Sequence, residues 1–398
     1  MLLEGTLKNL WSSPTIRCYL IISLIYRLGI SILAAMYVTF LLERGLNLLQ
    51  ANMVNFVFFT TLLIFEVPTG TIADVVGRKK SIVIASLSVA AGMYAYGFCS
   101  TFAGFAISEA LIALGGTLFS GAFGAWLHDR LEEEGRLPEL RQVMSIASMA
   151  GQMMLMAASV LGAVTFQIHP VIPFFIGGIA MTGCAIYAFV AMKDGHYKAR
   201  SLARSCTMLR LGVRYAWRHP AIRSLIWLGI IQTAGLQAVN MQWQPFFGPH
   251  LPSKAWLGGI VVVIAVSLFI GAWIARNQHI NRSELLIVWS QGVISLGVLV
   301  AGVAGSVVVA GIAFVVHEIA RGFYEPVKQS FLHTCIHSRR KRATILSCEA
   351  LSRDLGGMIG LPVSGAIALH GSISLAWVIS SVVLICGTIV VRGRLACP

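Results

Sequence analysis

The chain has 398 residues, 57% of them hydrophobic and only 12% charged, with a mean hydropathy of +0.79. Soluble domains carry about 25% charged residues, so a chain this apolar cannot hide its nonpolar surface inside itself and must present it to lipid. The formal net charge of +14 would suit a nucleic-acid partner, but the basic residues cluster at the ends of apolar segments, where anionic lipid headgroups account for them.

Residues 1–16 hold Glu4, Lys8 and Pro14 and do not read as a cleavable signal sequence. From there, apolar stretches fall at 17–42, 51–72, 80–99, 103–126, 143–166, 170–191, 223–246, 255–275, 284–303, 306–327, 343–366 and 372–391. Each has the length that a hydrocarbon core of about 30 Å demands of a helix. Barrel strands of about ten residues are excluded. The expectation is an all-α polytopic membrane protein of twelve transmembrane helices in two pseudo-symmetric six-helix halves. The halves are 1–192 and 223–398, joined by a basic segment at 193–222. In that segment Leu209, Leu211, Val213, Tyr215 and Trp217 interleave with arginines, which suits either a surface-lying segment or a solvated linker.

With the N-terminus placed in the cytoplasm, alternation puts 25 of the 30 Lys and Arg residues inside, Lys328 among them. Two, Arg44 and Lys254, fall outside; three, Arg27, Arg321 and Arg353, fall within spans. The positive-inside rule fixes this orientation, with both termini in the cytoplasm. The eight cysteines form no CxxC pair and read as small hydrophobes rather than a disulfide or zinc framework.

Short matches recur at offsets of 200 to 205. Ser23-Leu-Ile-Tyr-Arg-Leu-Gly29 pairs with Ser224-Leu-Ile-Trp-Leu-Gly229, Gly70 with Gly271, and Arg141-Gln-Val-Met-Ser145 with Arg342-Ala-Thr-Ile-Leu-Ser347. Two homologous halves are a feature of transporters that rock about a central site.

After the second span comes Gly70-Thr-Ile-Ala-Asp74-Val-Val-Gly77-Arg78-Lys79-Lys80. Gly70 admits close helix approach, Gly77 a tight turn, and Asp74 a partner in Arg78 or a helix N-terminus. The pattern G-x-x-x-D-x-x-G-R-K/R resembles the signature loop of the major facilitator superfamily. The resemblance implies a conformational latch at Gly70, Asp74, Gly77, Arg78 and Lys79. In the second half Ala275 stands where Asp74 would be, so the latch is expected in the first half alone. Glu66-Val-Pro-Thr-Gly70, Ser120-Gly-Ala122, Trp243-Gln-Pro245, Arg321-Gly-Phe-Tyr-Glu-Pro326 and Arg342–Ser347 further resemble a bacterial drug- and metabolite-efflux branch. That resemblance implies the bacterial cytoplasmic membrane as the location and a monomer as the working form.

Ionisable groups inside spans are expensive and need a partner, a wet cavity or a function. Arg27 lies mid-span with Ser23 and Ser31 a turn away, and Glu109 and Glu318 are its candidate partners. In span ten His317, Glu318, Arg321, Tyr324 and Lys328 follow helical spacing along one stripe. This stripe either lines a cavity or is held by an internal Glu318–Arg321 pair. Thr233, Gln237, Asn240 and Gln244 form a polar stripe on span seven, for cargo or for interhelix contacts. Glu349 and Arg353 are spaced to pair with each other. The substrate and proton-coupling set is therefore Arg27, Glu109, Gln237, Asn240, His317, Glu318, Arg321 and Tyr324.

No phosphate-binding loop of the form G-x-x-x-x-G-K-S/T occurs, so the drive is an ion or cargo gradient. The absence of G-x-S-x-G and H-E-x-x-H argues against an enzyme, and no cofactor is expected. The expected activity is secondary active transport by alternating access, as proton-coupled efflux of a drug or metabolite. The alternatives are proton-coupled import of an organic anion and a non-transporting receptor. The expected partners are a small-molecule substrate, protons and membrane lipid.

The charge asymmetry makes two cysteines reporters of topology. Impermeant thiol reagent applied to intact cells should leave Cys206 and Cys397 unlabelled, and strong labelling of both would overturn the orientation. Asp74→Asn should slow transport with little loss of folded protein. Normal turnover at normal expression would remove the latch reading.

Overall fold

The computed structural model describes residues 13–193, 210, 213–276, 283–336 and 339–392, and no strand occurs among them. The helices are α1 (Pro14–Ser31), α2 (Tyr37–Glu43), α3 (Leu48–Val76), α4 (Arg78–Phe98), α5 (Phe102–Glu133), α6 (Leu140–Ile168) and α7 (Ile172–Ala191). Then follow α8 (Pro220–Phe247), α9 (Trp256–Arg276), α10 (Ser283–Val303), α11 (Val307–Cys335), α12 (Arg339–His370) and α13 (Ile373–Arg392). With α1 and α2 counted as one span these are the twelve expected. Residues 194–209 and 211–212 of the expected linker lie outside the described residues.

Local chemistry sets the helix ends. Ser13 accepts from the Ile16 amide with Pro14 in the first turn, and Thr101 accepts from Gly104 at 3.2 Å; both are N-caps of the favoured residue types. Gly77 separates α3 from α4 at φ 106°, a backbone region that glycine enters without steric cost.

Span one departs from the uninterrupted 17–42 segment read from the sequence. It breaks into turns at 32–36, where Ala34 donates to Ser31 and Met36 to Leu33. A neighbour lies at the break: a Cβ on Gly162 of α6 would fall 1.8 Å from the Ile32 carbonyl oxygen, so α6 lies directly against it. The restarted helix α2 needs partners for its first amides. Gln244 Oε1 supplies them, accepting from Val38 at 3.0 Å and Thr39 at 3.1 Å. Gln244 is therefore a cap, not a free amide awaiting cargo.

The chain forms two compact units, one of residues 1–37 and 64–205, the other of 38–63 and 206–398. Within the first, α4 packs on α5 and α7, and α1 on α6 and α7. Within the second, α10 packs on α11 and α13, and α8 on α12 and α13. These are the same four pairings shifted by six spans, so the sequence repeat is a repeat of packing. In the second unit Asn52 donates to Leu361 O at 2.9 Å and Ser364 Oγ at 3.0 Å, while Gln242 donates to Ser364 O at 3.1 Å. Buried amides thus tie the 38–63 segment to α12, and α12 to α8.

The repeat extends to glycines. A Cβ on Gly121 would lie 3.3 Å from Gly70 Cα. Adding 201 to each number gives Gly322 and Gly271, whose Cβ positions fall 2.3 Å from Leu268 O and 2.0 Å from Ile319 O. At both places the backbones of α9 and α11 touch, the close approach that small residues permit in membranes.

A side chain at Gly271 must push the helices apart, at a cost of about 1–3 kcal/mol or more. Gly271→Val should lower the thermal midpoint and the monodisperse yield, read by fluorescence-detected size exclusion after heating. Gly259→Ala, where a Cβ meets nothing within 4 Å, should match the parent. Equal behaviour of both variants would show that the contact does not limit stability.

Candidate functional site

In the second unit α11 carries the expected stripe. His317 and Glu318 are buried at 0% and 2% exposure. His317 Nδ1 lies 3.3 Å from the Ile294 carbonyl, and its Nε2 is 3.8 Å from Glu318 Oε1. The same oxygen lies 3.4 Å from Arg321 Nη1. Arg321 Nη1 also donates to Asn240 Oδ1 of α8 at 3.0 Å. Glu318 Oε2 is buried with no hydrogen-bond partner among the described residues. Spans seven and ten thus meet at one guanidinium, and a carboxylate beside it has an oxygen to spare. Gln237 is buried near the close approach of Gly357, outside this cluster's hydrogen bonds.

One to two turns further along α11 is a second group. Lys328, which the topology reading placed among cytoplasmic charges, is completely buried. It lies 2.8 Å from Glu349 and 3.1 Å from Glu325. Arg353 reaches Glu325 at 3.2 Å and Glu349 at 3.4 Å. The expected Glu349–Arg353 pair exists, but as one side of a four-membered ring. Helical spacing already put Lys328 on the stripe of His317, Arg321 and Tyr324; counting it as a loop charge hid its role. Tyr324 is fully buried, with its ring 5.5 Å from Lys328 Nζ at cation–π range.

In the first unit Arg27 is half-buried, and Nε donates to Gly151 O at 3.3 Å. Glu109 is not its partner. Glu109 is buried and accepts from the Tyr96 hydroxyl, with Tyr37 OH 3.5 Å from Tyr96 OH. Tyr96 stacks on Phe105 and Phe174. This carboxyl sits in an aromatic box, a placement that spacing alone does not reveal. Among the described residues no carboxylate of this unit pairs with Arg27.

The signature loop is built around Arg78, which donates to the Ala125 carbonyl and pairs with Asp129 of α5. Asp129 was not among the sequence candidates; no motif spacing links it to position 78. Lys79 lies over the Phe189 ring at 5.2 Å, and Gly70 backs onto Gly121. The side chain of Asp74 lies outside the described residues. Cys18, Cys99, Cys184, Cys348 and Cys386 are free, but Cys335 is disulfide-bonded, against the reading of a chain without disulfides. Isolated cysteines carry no spacing signal for such a bond.

The model of the Major Facilitator Superfamily matches residues 19–347. An uncharacterized MFS-type transporter, YxaM of Bacillus subtilis (strain 168), is 19% identical over 275 residues, covering 65% of this chain and 67% of that protein. The nucleoside transporter NupG superposes with a TM-score of 0.78 at 12% identity, over 96% of this chain and 98% of the other. The human organic anion transporter MFSD10 gives 0.67 at 13% identity, over 95% and 99%. The repeated packing, the signature loop and a family match over most of its length converge on one statement: this chain is a membrane transporter belonging to the Major Facilitator Superfamily.

Proposed function

We propose that the chain is a secondary active transporter coupling protons to a small molecule that carries an anionic group, by alternating access across the bacterial cytoplasmic membrane. It acts as a monomer with both termini inside. The observation that carries this reading is Arg27, a mid-span guanidinium whose partner is a backbone carbonyl and, among the described residues, no carboxylate of its own unit. A fixed cation in a span calls for an anion, and cargo is the component that can arrive and leave. The coupling group is Glu318, buried, with one oxygen shared between Arg321 and His317 and the other without a hydrogen-bond partner among the described residues. Protonation there adds one positive charge to the cluster and favours the anion, so proton and cargo move together.

A second reading is export of a drug or metabolite in exchange for protons. It is supported by the efflux-like stretches and by Asn240, an uncharged amide at Arg321. Ionised Glu318 would then hold neutral or cationic cargo and release it on protonation.

Proteoliposomes screened with radiolabelled organic anions and with lipophilic cations separate the two. An inward proton gradient should drive anion accumulation. Glu318→Gln should abolish that accumulation while keeping exchange at zero gradient, and Arg27→Gln should raise the anion KM by about tenfold or more. Accumulation by Glu318→Gln with the parent's pH dependence removes Glu318 as the proton carrier and makes Glu109 the next to test. Extrusion of cations with no anion flux would favour the second reading.

A further inference from the structure

Spans eight, nine and ten enclose a crevice that the charged groups do not use. Both α9 and α10 pack on α11. Gly271 and Gly322 press α9 onto it, and Gly297 does the same for α10, where a Cβ would lie 3.0 Å from Ala313 O. Beside these contacts lies a cavity of about 440 Å³. Ser290 and Ala320 form its buried floor, Phe323 part of its wall, and Ile274, Trp289 and Val316 its exposed rim. The Ser290 hydroxyl lies 2.7 Å from Leu286 O and 3.0 Å from Ile287 O. It is spent on its own helix and asks nothing of an occupant.

The crevice opens to hydrocarbon. Among the described residues, every exposed side chain of α9 and α10 is apolar except Arg276, and an apolar face of that extent in a membrane protein meets lipid. The crevice also lies within one leaflet. Leu286 is one turn from the start of α10, and Ile274 is two residues from the end of α9. From Leu286 to Val293 the lining of α10 rises about 10 Å, against about 15 Å for half a hydrocarbon core.

The helix ends at its mouth lie on the side that the basic residues assign to the cytoplasm. Arg276 ends α9 there, exposed and without an ion pair among the described residues. Glu284, the acid in the first turn of α10, is half-buried, and among the described residues no ion pair ties it to Arg276.

We infer that the crevice binds one acyl chain of an anionic phospholipid from the cytoplasmic leaflet, with the lipid phosphate on Arg276. A narrow apolar slot suits a flexible hydrocarbon chain. A chain seated against three helices gains dispersion contacts that a lipid on a convex helix surface lacks. The guanidinium is a planar fork for phosphate oxygens, and anionic headgroups gather at basic residues on the cytoplasmic surface. Ala320 and Phe323 flank Arg321 in sequence, so the seated chain backs the turn of α11 that carries the Glu318 cluster. The proposed orientation enters only in naming the leaflet, and binding in detergent does not depend on it.

The test is native mass spectrometry of the purified full-length chain in detergent, titrated with dioleoyl phosphatidylglycerol or with dioleoyl phosphatidylcholine, which has the same chains and no net charge. The parent should take up its first phosphatidylglycerol about tenfold more tightly than its first phosphatidylcholine, the worth of about one charge-assisted pair. Arg276→Gln should bind the two alike. Ser290→Leu, which fills the floor, should lose the tight first lipid of either kind. Ile274→Trp, a change at the exposed rim, should do the same and stands in if Ser290→Leu does not fold. Glycerol 3-phosphate, a headgroup without chains, should not compete at large excess.

Equal uptake of both lipids by the parent overturns the inference, as does an undiminished preference in Arg276→Gln or undiminished uptake in both filled variants. Competition by glycerol 3-phosphate would reduce the site to a surface anion and also overturns it. Tetraphenylphosphonium held in place of lipid, or a dimer, present in the parent and lost in Ser290→Leu, would assign the crevice to cargo or to a second copy and overturn it likewise. None of these results bears on proton coupling, which is read by flux.

Discussion

Inside a bilayer no solvent is available to complete a polar group, so each charge and each broken backbone bond must find its partner within the protein. That constraint organises this molecule. It explains why Lys328 holds two carboxylates, why Glu109 sits under a tyrosine hydroxyl, and why Arg321 reaches across to Asn240. It also makes the exceptions informative. Among the described residues, Arg27 is served by one carbonyl at 3.3 Å and Glu318 has an oxygen without a hydrogen-bond partner, in a setting where incompleteness is expensive.

Two kinds of closure coexist in the second unit. The ring of four charges satisfies itself, and any change in one member must be balanced by another. The Glu318 cluster does not close, since one oxygen serves both Arg321 and His317. A closed ring and, one to two turns away, a cluster that shares one carboxylate oxygen thus lie on the same helix, α11. Gly271 and Gly322 bring α9 directly against this helix.

Much of this was legible in the sequence, for physical reasons. Span count follows from hydrophobic length, and the repeat from ordered matches at one offset. The glycine pairs 70/121 and 271/322 show the offset kept in three dimensions. The charged stripe of α11 followed from helical spacing. What stayed hidden were partners supplied from distant helices: Asp129 for Arg78, Tyr96 for Glu109, Gly151 for Arg27. Periodicity reports which face a residue occupies and is silent about what stands opposite. Lys328 shows a subtler limit: it was placed on the stripe by spacing and also counted among the cytoplasmic charges, and neither count showed that it is buried between Glu325 and Glu349.

The cap that Gln244 places on α2 has a consequence for the chain as a covalent object. Residues 38–63 are compact with 206–398, although they are encoded among the first six spans. The boundary of the repeat and the boundary of the compact units therefore do not coincide. A chain severed in the 193–222 segment would give a C-terminal fragment without the hairpin that its Gln244, Gln242 and Ser364 are arranged around, and an N-terminal fragment bearing two amide hydrogens with nothing to receive them. Each half of the duplication carries something the other needs to be finished, so the two copies are bound by mutual incompleteness as well as by a linker.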